Sequence, residues 1–468
     1  MRDYVRFFLN GEQRTVRGAE AFASVTDFLR HSCGLNGTKV VCAEGDCGAC
    51  TVLVGRPAKD TLRYYPVDSC IQFLYQLDGA HVVTVEGLST DGGLHPVQKA
   101  MVECHGSQCG YCTPGFVMAL AGWVEGGASS DIRTALTGNL CRCTGYVPIL
   151  DAASAIAASP PPKLAESATV REELAELNGE PLKIEDGRRT FYAPTSLAEA
   201  VAFKAAHPDA VIVSGGTELG VLRNKRGYDP QVLLSLARVP GLNDIERDGE
   251  NLRIGANVTW SQIEREVVPL IPAIGEIVRR FGSPQIRNVG TLAGNVANGS
   301  PIADSLPLLM VLDAELEIAG PKGTRTRPLN GFYTGYKKKD LAADELLSQI
   351  ILPLLAPADR LRLYKVSRRT DLDIATFGAA VLMRLRNDVI ELAAVAYSGV
   401  AATVLRLPKV EAALVGQPFR EATFRRAGLI ARGELTPLSD VRGGADYRGE
   451  LAANILLKFF FEEAELSV

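Results

Sequence analysis

Cysteines stand at positions 33, 42, 47, 50, 70, 104, 109, 112, 141 and 143, and residues 144 to 468 contain none. A chain stapled by disulfides would not confine them to its first third, so the distribution points to thiolate chemistry there. Cys42, Cys47 and Cys50 follow a C-x4-C-x2-C spacing, with Cys70 arriving from a separate segment. This is the plant-type spacing of a 2Fe-2S cluster. The reason is geometric: thiolates that must reach two sulfide-bridged irons require the chain to coil around them. Gly45, Gly48 and the small Ala49 allow that path, and backbone N–H groups along it can point at sulfur. A four-cysteine zinc site competes, but it commonly uses two close pairs, and Cys70 stands alone. Cys109-x2-Cys112 and Cys141-x-Cys143 do make two pairs, so spacing by itself leaves zinc and iron–sulfur both open there. Cys33 and Cys104 remain, and read as small buried apolar residues.

Other candidates are weaker when taken alone. Ile212 to Gly220 reads as a strand running into a Gly-rich turn whose N–H groups could cradle a phosphate, with a plain turn as the competing reading. It is not G-x-G-x-x-G, so no Rossmann unit is implied. Phe281 reads as a core ring and the stretch from Arg368 to Asp373 as a solvated charged turn. His31, His81, His95, His105 and His207 read as structural or surface residues.

The elements that must hold these groups follow from local patterns. Val5 to Leu9 and Glu12 to Val16 form a hairpin about Asn10-Gly11. Ser24 and Asp27 make a capping pattern for a helix bearing Val25, Phe28 and Leu29. A Gly- and Cys-rich loop covers 33–50, followed by strands at Thr51 to Val54 and His81 to Val85. Helices are expected over Pro96 to Cys104, from Thr113 as cap with Pro114 at the first position to Val124, and over Asp131 to Leu136 and Pro148 to Ala158. Ser159 and Pro160 to Pro162 end the last of these, and a partly helical linker runs to about Gly179. A second α+β region carries strands at Ala210 to Val213 and Leu252 to Ile254. A third carries strands at Ala379 to Leu385 and Leu392 to Tyr397 and helices at Lys409 to Val415 and Ala452 to Phe461.

The composition suits this multidomain picture. The chain has 468 residues, 47% apolar and 22% charged, with a net charge of -4. That balance excludes a disordered chain or a coiled coil and removes the electrostatic case for a nucleic-acid binder. No secretory pattern opens the sequence and no apolar run is long enough to span a membrane, so a soluble cytoplasmic protein is expected.

Longer motifs carry a resemblance. Gly37-Thr38-Lys39 with the run from Cys42 to Thr51, then Gln108 to Gly115 and Gly138 to Tyr146, resemble the two cluster motifs of the molybdenum hydroxylases, the xanthine dehydrogenase and aldehyde oxidase family. The resemblance implies 2Fe-2S ligands Cys42, Cys47, Cys50 and Cys70 in a β-grasp ferredoxin domain (1–86). It also implies ligands Cys109, Cys112, Cys141 and Cys143 in a helical-bundle domain (87–160). After the linker (161–181) it implies a non-Rossmann α+β FAD-binding domain (182–356) and an α+β C-terminal flavoprotein domain (357–468). Ile212, Val213, Ser214, Gly215, Gly216, Thr217 and Glu218 resemble the FAD pyrophosphate loop. Thr291 to Asp304 resembles a second FAD segment, with Thr291, Gly294, Asn295 and Asp304 as contacts. Phe281, Leu347 and Lys365 fall at further FAD positions, Phe281 beside the isoalloxazine. Arg368 to Asp373 would lie near a nicotinamide entrance. Two departures stand out: Val40-Val41 where the family has Glu-Gly, and Leu372-Asp373 where it often has Asp-Asp.

The resemblance also implies what is elsewhere. No length remains for a molybdenum domain, so the expected partner is a molybdenum-binding large subunit, in a dimer of heterodimers. The fused order resembles the small subunit of bacterial xanthine dehydrogenases, enzymes of purine metabolism. Electrons would pass from molybdenum to the Cys109 set, then to the Cys42 set, to FAD and on to NAD, with Gln108 facing the pterin. No acid–base catalyst for substrate oxidation is expected on this chain. Other N-heterocycles, methylated xanthines or aldehydes as substrate, oxygen in place of NAD, a self-contained ferredoxin–flavin reductase and a zinc-stabilised scaffold are the alternatives.

Overall fold

The computed structural model describes residues 1–58, 61–89, 93–128, 130–161, 163–164, 168–177 and 179–465. The chain forms two compact units. The first comprises Met1–Pro240 with Gly282–Gly290, the second Gly241–Phe281 with the sequence from Thr291 onward.

In the first unit, Tyr4–Leu9 (β1) and Glu12–Arg17 (β2) pair antiparallel, with Leu9 opposite Glu12. Asn10 and Gly11 both take positive φ, as a two-residue hairpin turn requires. Thr51–Ala58 (β3), Thr61–Asp68 (β4) and His81–Val83 (β5) complete a sheet of order β2-β1-β5-β3-β4, with β1 and β5 parallel. The β4 strand was not expected, because Arg63 and Pro66 interrupt its apolar pattern. Alternate side chains of this sheet enter different cores. Phe7, Val52, Val54 and Val82 join Phe28 and Tyr75, while Phe8, Leu53, Tyr64 and Val83 join Phe116, Leu120 and Ile149. Both faces are therefore buried, which is why the central strands read as continuous apolar runs rather than alternating ones.

The expected helices are Pro96–Glu103, Thr113–Glu125, Ile132–Leu136 and Val147–Ala158. Thr113 is already helical and Cys112 occupies the cap position. The Thr113 hydroxyl donates to Ser107 Oγ at 2.8 Å instead of capping, so the start lies one residue earlier than the Thr-Pro signal suggests. Every residue from Gly115 to Val124 is buried, as in a helix enclosed on all sides. The linker contains the helix Ala168–Leu177, while its residues 162, 165–167 and 178 lie outside the described residues. Leu182–Glu185 (β6), Thr190–Ala193 (β7), Val211–Val213 (β8) and Val232–Ser235 (β9) make a second sheet, in which β9 runs parallel to both β7 and β8.

The second unit has one sheet from Ile245–Asp248 (β10), Asn251–Gly255 (β11), Glu315–Gly320 (β12), Gly323–Pro328 (β13) and Leu346–Pro353, in the order β10-β11-(346–353)-β12-β13. An antiparallel sheet of Asp359–Val366, Phe377–Arg386, Val389–Ser398 and Leu405–Arg406 follows. Helices Pro408–Leu414, Glu421–Glu434 and Ala445–Glu465 contribute to its core through Val410, Phe424 and Phe459. The Glu421–Glu434 helix was not foreseen: its stripe of Phe424, Ala427, Gly428 and Ala431 is made mostly of small residues. No helix among the described residues is long and apolar enough to cross a membrane.

Candidate functional site

The loop carrying Cys42, Cys47 and Cys50 bends through positive φ at Ala43, Gly45 and Gly48. A Cβ on Gly45 would stand 2.6 Å from Ile71 Cδ1, and one on Gly48 would stand 2.3 Å from the Gly138 carbonyl. The Val40-Val41 departure is harmless to this path, since neither residue takes a positive φ and Val41 faces solvent. The Cys42 thiol lies against those of Cys47 and Cys70, and Cys50 lies against Cys70. Those thiol contacts hold Cys42 well below the ordinary thiol range, helped by N–H groups of Glu44 and Asp46 that donate to its sulfur at 3.5 and 3.4 Å. The same contacts push Cys47 and Cys70 up. Asp68 sits behind Cys50, whose thiol donates to it at 3.6 Å, and burial pushes this carboxyl up to about 7. Sequence reading missed Asp68; its one signal was an acid two residues before a ligand in an apolar stretch.

The second set is built differently. Gly110 between two ligands has positive φ, and Tyr146 caps the Val147–Ala158 helix in the left-handed region. Cys112 lies against Cys141, and Cys109 against Cys143. Burial and then the Cys141 contact push Cys112 up to about 12. Burial raises Cys141 as well, but the Thr144 hydroxyl and N–H, donating at 3.1 and 3.5 Å, outweigh it and lower the thiol overall. Cys109 and Cys143 are exposed, whereas Cys50, Cys70 and Cys141 are buried.

Among the described residues, no three His, Cys, Asp or Glu side chains converge as ligands of one ion. The thiols of the first set instead run in series, 47 against 42, 42 against 70 and 70 against 50, while those of the second approach as 109 with 143 and 112 with 141. Four thiols gathered in each set, with N–H groups aimed at sulfur, suit a charged cluster of more than one metal atom.

The Ser214–Gly216 turn also belongs to the first unit. It joins β8 to the helix Thr217–Arg226, with Gly216 at φ +71° as cap. A Cβ on Gly215 would come 1.9 Å from the Val289 carbonyl, so only glycine fits that approach. Gln72 Nε2 donates to the Gly215 carbonyl at 3.1 Å, and Gln76 Nε2 to the Ser214 carbonyl at 3.3 Å. The turn thus has its carbonyls engaged behind it and a helix N-terminus ahead, an arrangement suited to an anion. The same helix reaches the thiol loop: Asn224 Nδ2 donates to the carbonyls of Cys70 and Ala43 at 2.8 and 3.0 Å.

In the second unit, Thr291 caps the helix Leu292–Asn298, its hydroxyl accepting from Gly294 N–H at 3.0 Å. Asn295 Oδ1 accepts from Ser305 at 2.6 Å. Lys365 Nζ pairs with Asp304 at 2.6 Å and donates to the Arg280 carbonyl at 2.9 Å. Burial raises the Asp304 carboxyl, and Lys365 opposes this. Phe281, half-buried, stacks on Trp260 at 4.1 Å, a partner the sequence gave no reason to single out. Leu347 is buried opposite Ile318. Arg280 and Lys365 line a cavity of about 510 Å³. The charged turn from Arg368 to Asp373 closes on itself through an Arg369–Asp373 pair at 3.5 Å, with Leu372 at positive φ, and Arg368 donates to the Val441 carbonyl at 2.6 Å.

Residues 84–154 match the family described as a 2Fe-2S binding domain. Residues 183–355 match the FAD binding domain in molybdopterin dehydrogenase, and residues 362–463 match the CO dehydrogenase flavoprotein C-terminal domain. Xanthine dehydrogenase 1 of Arabidopsis thaliana is 31% identical over 97% of this chain and 39% of its own length. Xanthine dehydrogenase of Drosophila subobscura is 32% identical with the same coverage. The chain thus spans about two fifths of these relatives. Among solved structures, a carbon monoxide dehydrogenase of Hydrogenophaga pseudoflava is 32% identical, with a TM-score of 0.56 over 58% of this chain and 95% of that one. Quinoline 2-oxidoreductase of Pseudomonas putida 86 is 29% identical, with a TM-score of 0.55 over the same shares.

Proposed function

The chain belongs to the molybdenum hydroxylase family, and on that premise we propose that it is the electron-transfer subunit of an enzyme of the xanthine dehydrogenase type. The eight thiols of the two sets hold two 2Fe-2S clusters, one on Cys42, Cys47, Cys50 and Cys70, the other on Cys109, Cys112, Cys141 and Cys143. FAD contacts are assigned to Ile212–Glu218 in the first unit, and to Phe281, Thr291, Gly294, Asn295, Asp304, Leu347 and Lys365 in the second. When bound, the clusters supply one-electron carriers and FAD a two-electron exit as hydride to NAD. The domain limits are those expected from sequence: 1–86, 87–160, 182–356 and 357–468.

One observation carries the direction of flow. Two thiols of the second set, Cys109 and Cys143, reach the surface among exposed apolar residues: Tyr111, Leu140, Tyr146 and Val147. Electrons from another chain must enter near the surface, and a molybdenum-binding partner fits an apolar rim of this kind. Gln108, also exposed, lies on that rim beside Cys109 and would meet the pterin. The Arg368–Asp373 turn is assigned to the nicotinamide entrance, the reducing cytoplasm to the reduced thiols, and the assembly to a dimer of heterodimers.

Affinity purification of the tagged chain from its native host tests the reading. A co-purifying subunit that carries molybdenum, with xanthine-dependent reduction of NAD, is the expected result. A lone chain that oxidises NADH and reduces its own clusters would overturn it in favour of a self-contained reductase. The likeness to carbon monoxide dehydrogenase and quinoline 2-oxidoreductase favours a second reading on one point, the substrate, which the partner would select.

A further inference from the structure

The short helix Pro284–Arg287 belongs to the first unit, capped by Ser283 Oγ, which accepts from Ile286 N–H at 3.1 Å. Its Gln285 has no exposed surface. Both hydrogens of the Gln285 amide are used: Nε2 donates to Thr51 Oγ1 at 3.1 Å and to Asn139 Oδ1 at 2.9 Å. Thr51 directly follows Cys50, and Asn139 lies two residues before Cys141, so one side chain holds a neighbour of each ligand set.

The two residues it holds converge again. Asn139 Nδ2 donates to the Gly48 carbonyl at 3.0 Å, and the Thr51 hydroxyl donates to the same oxygen at 2.6 Å. Next to them Leu140 N–H donates to the Cys47 carbonyl at 3.1 Å. The Cys47–Cys50 loop and the loop leading into Cys141 are therefore in direct backbone contact, under a clamp centred on Gln285. The fit is close. A Cβ on Gly138 would stand 2.0 Å from Gln285 Oε1, an atom with no hydrogen-bond partner among the described residues. Ile286, the following residue, packs on Cys50, Cys70 and Ile71.

We infer that Gln285 is a positioning residue that sets the coupling between the two clusters by clamping the Thr51 and Asn139 sides of their loops together. This rests on the two-cluster reading above. Burying an amide in a small polar network, rather than an apolar residue of the same size, fixes one mutual orientation of the loops, because each polar group must find its partner there. Among the described residues Gln285 hydrogen-bonds to Thr51 and Asn139, and through them it acts on the Gly48 carbonyl.

The test uses the purified chain, with Gln285→Met, which keeps the volume and removes both donors, and Gln285→Asn, which keeps the amide but is too short to reach both acceptors. Both variants are expected to retain iron and both reduced-cluster EPR signals. The magnetic splitting between the reduced clusters should change, and amide exchange at Leu140 should rise by about 5- to 30-fold, the loss expected when one or two buried hydrogen bonds go. A residue that merely fills space would leave the Met variant unchanged. Unaltered splitting and unaltered Leu140 exchange in both variants would overturn the inference alone. A wild-type chain lacking two cluster signals would overturn the two-cluster reading and the inference with it.

Discussion

A serine hydroxyl cannot replace a soft thiolate on iron without changing the ligand field and the charge of the site. Cys141→Ser is therefore expected to abolish one of two reduced-cluster EPR signals and to leave the other intact; survival of both would remove Cys141 from the ligand set. The Lys365–Asp304 pair makes a different kind of prediction, because both side chains are almost wholly buried. Removing Lys365 strands a carboxylate in the interior, so Lys365→Met should cost about 3–5 kcal/mol. The sign of its pH dependence follows from the direction of the Asp304 shift, which is upward through burial. A raised carboxyl pKa means stability that is complete below the unfolded value of about 4 and is lost as pH rises through the folded value. Without Lys365, which holds it down, the Asp304 carboxyl rises further, so the variant's Tm deficit should be larger at pH 8 than at pH 5, and equal deficits would refute the argument. The cysteines assigned as ligands could be singled out from sequence because their chemistry belongs to the side chain itself. Asp68, Trp260 and Gln285 could not, because each takes its role from a residue distant in sequence.

At the scale of elements, the Thr113–Glu125 helix shows how close the packing is. A Cβ on Gly115 would stand 2.2 Å from the Gly48 carbonyl, and that oxygen is held by Asn139 and Thr51. Gly115→Ala should lower stability by about 1–3 kcal/mol. Gly126→Ala, whose nearest contact is an ordinary 3.4 Å, should change it by no more than about 0.5 kcal/mol. Equal unfolding midpoints for the two variants in denaturant titration would show that the Gly48 loop yields. Elements with strong end signals were readable in advance. Asn10-Gly11 announced the hairpin, and the Pro residues near 96, 114 and 148 announced three helices. The β4 strand and the Glu421–Glu434 helix were not readable, since their order comes from neighbouring elements rather than from a local period.

At the scale of the molecule, two clusters and one flavin imply a stoichiometry. The purified chain should carry about four irons, four acid-labile sulfides and one FAD. Two zincs and no iron, or flavin absorbance alone, would defeat the assignment. The families matched by residues 84–154, 183–355 and 362–463 stand in the order expected from cysteine placement and motif order. The division into two compact units was not legible. The boundary falls inside the stretch matched as an FAD-binding domain, and residues 282–290 return to the first unit between two segments of the second.

What the sequence determined by itself is the inventory: ten cysteines, eight of them in two spaced sets, and a Gly-rich turn ahead of a helix. These depend on residue type and on spacing along a few turns of chain, where local geometry constrains the outcome. The tertiary structure alone decided which thiols touch, that Cys109 and Cys143 reach the surface, and how the two loops are joined. Gly48 meets Asn139, and Gln285 meets both Thr51 and Asn139, across chain separations that no local pattern encodes. Such contacts arise only when packed cores bring distant loops together, and their strength comes from the burial that packing creates.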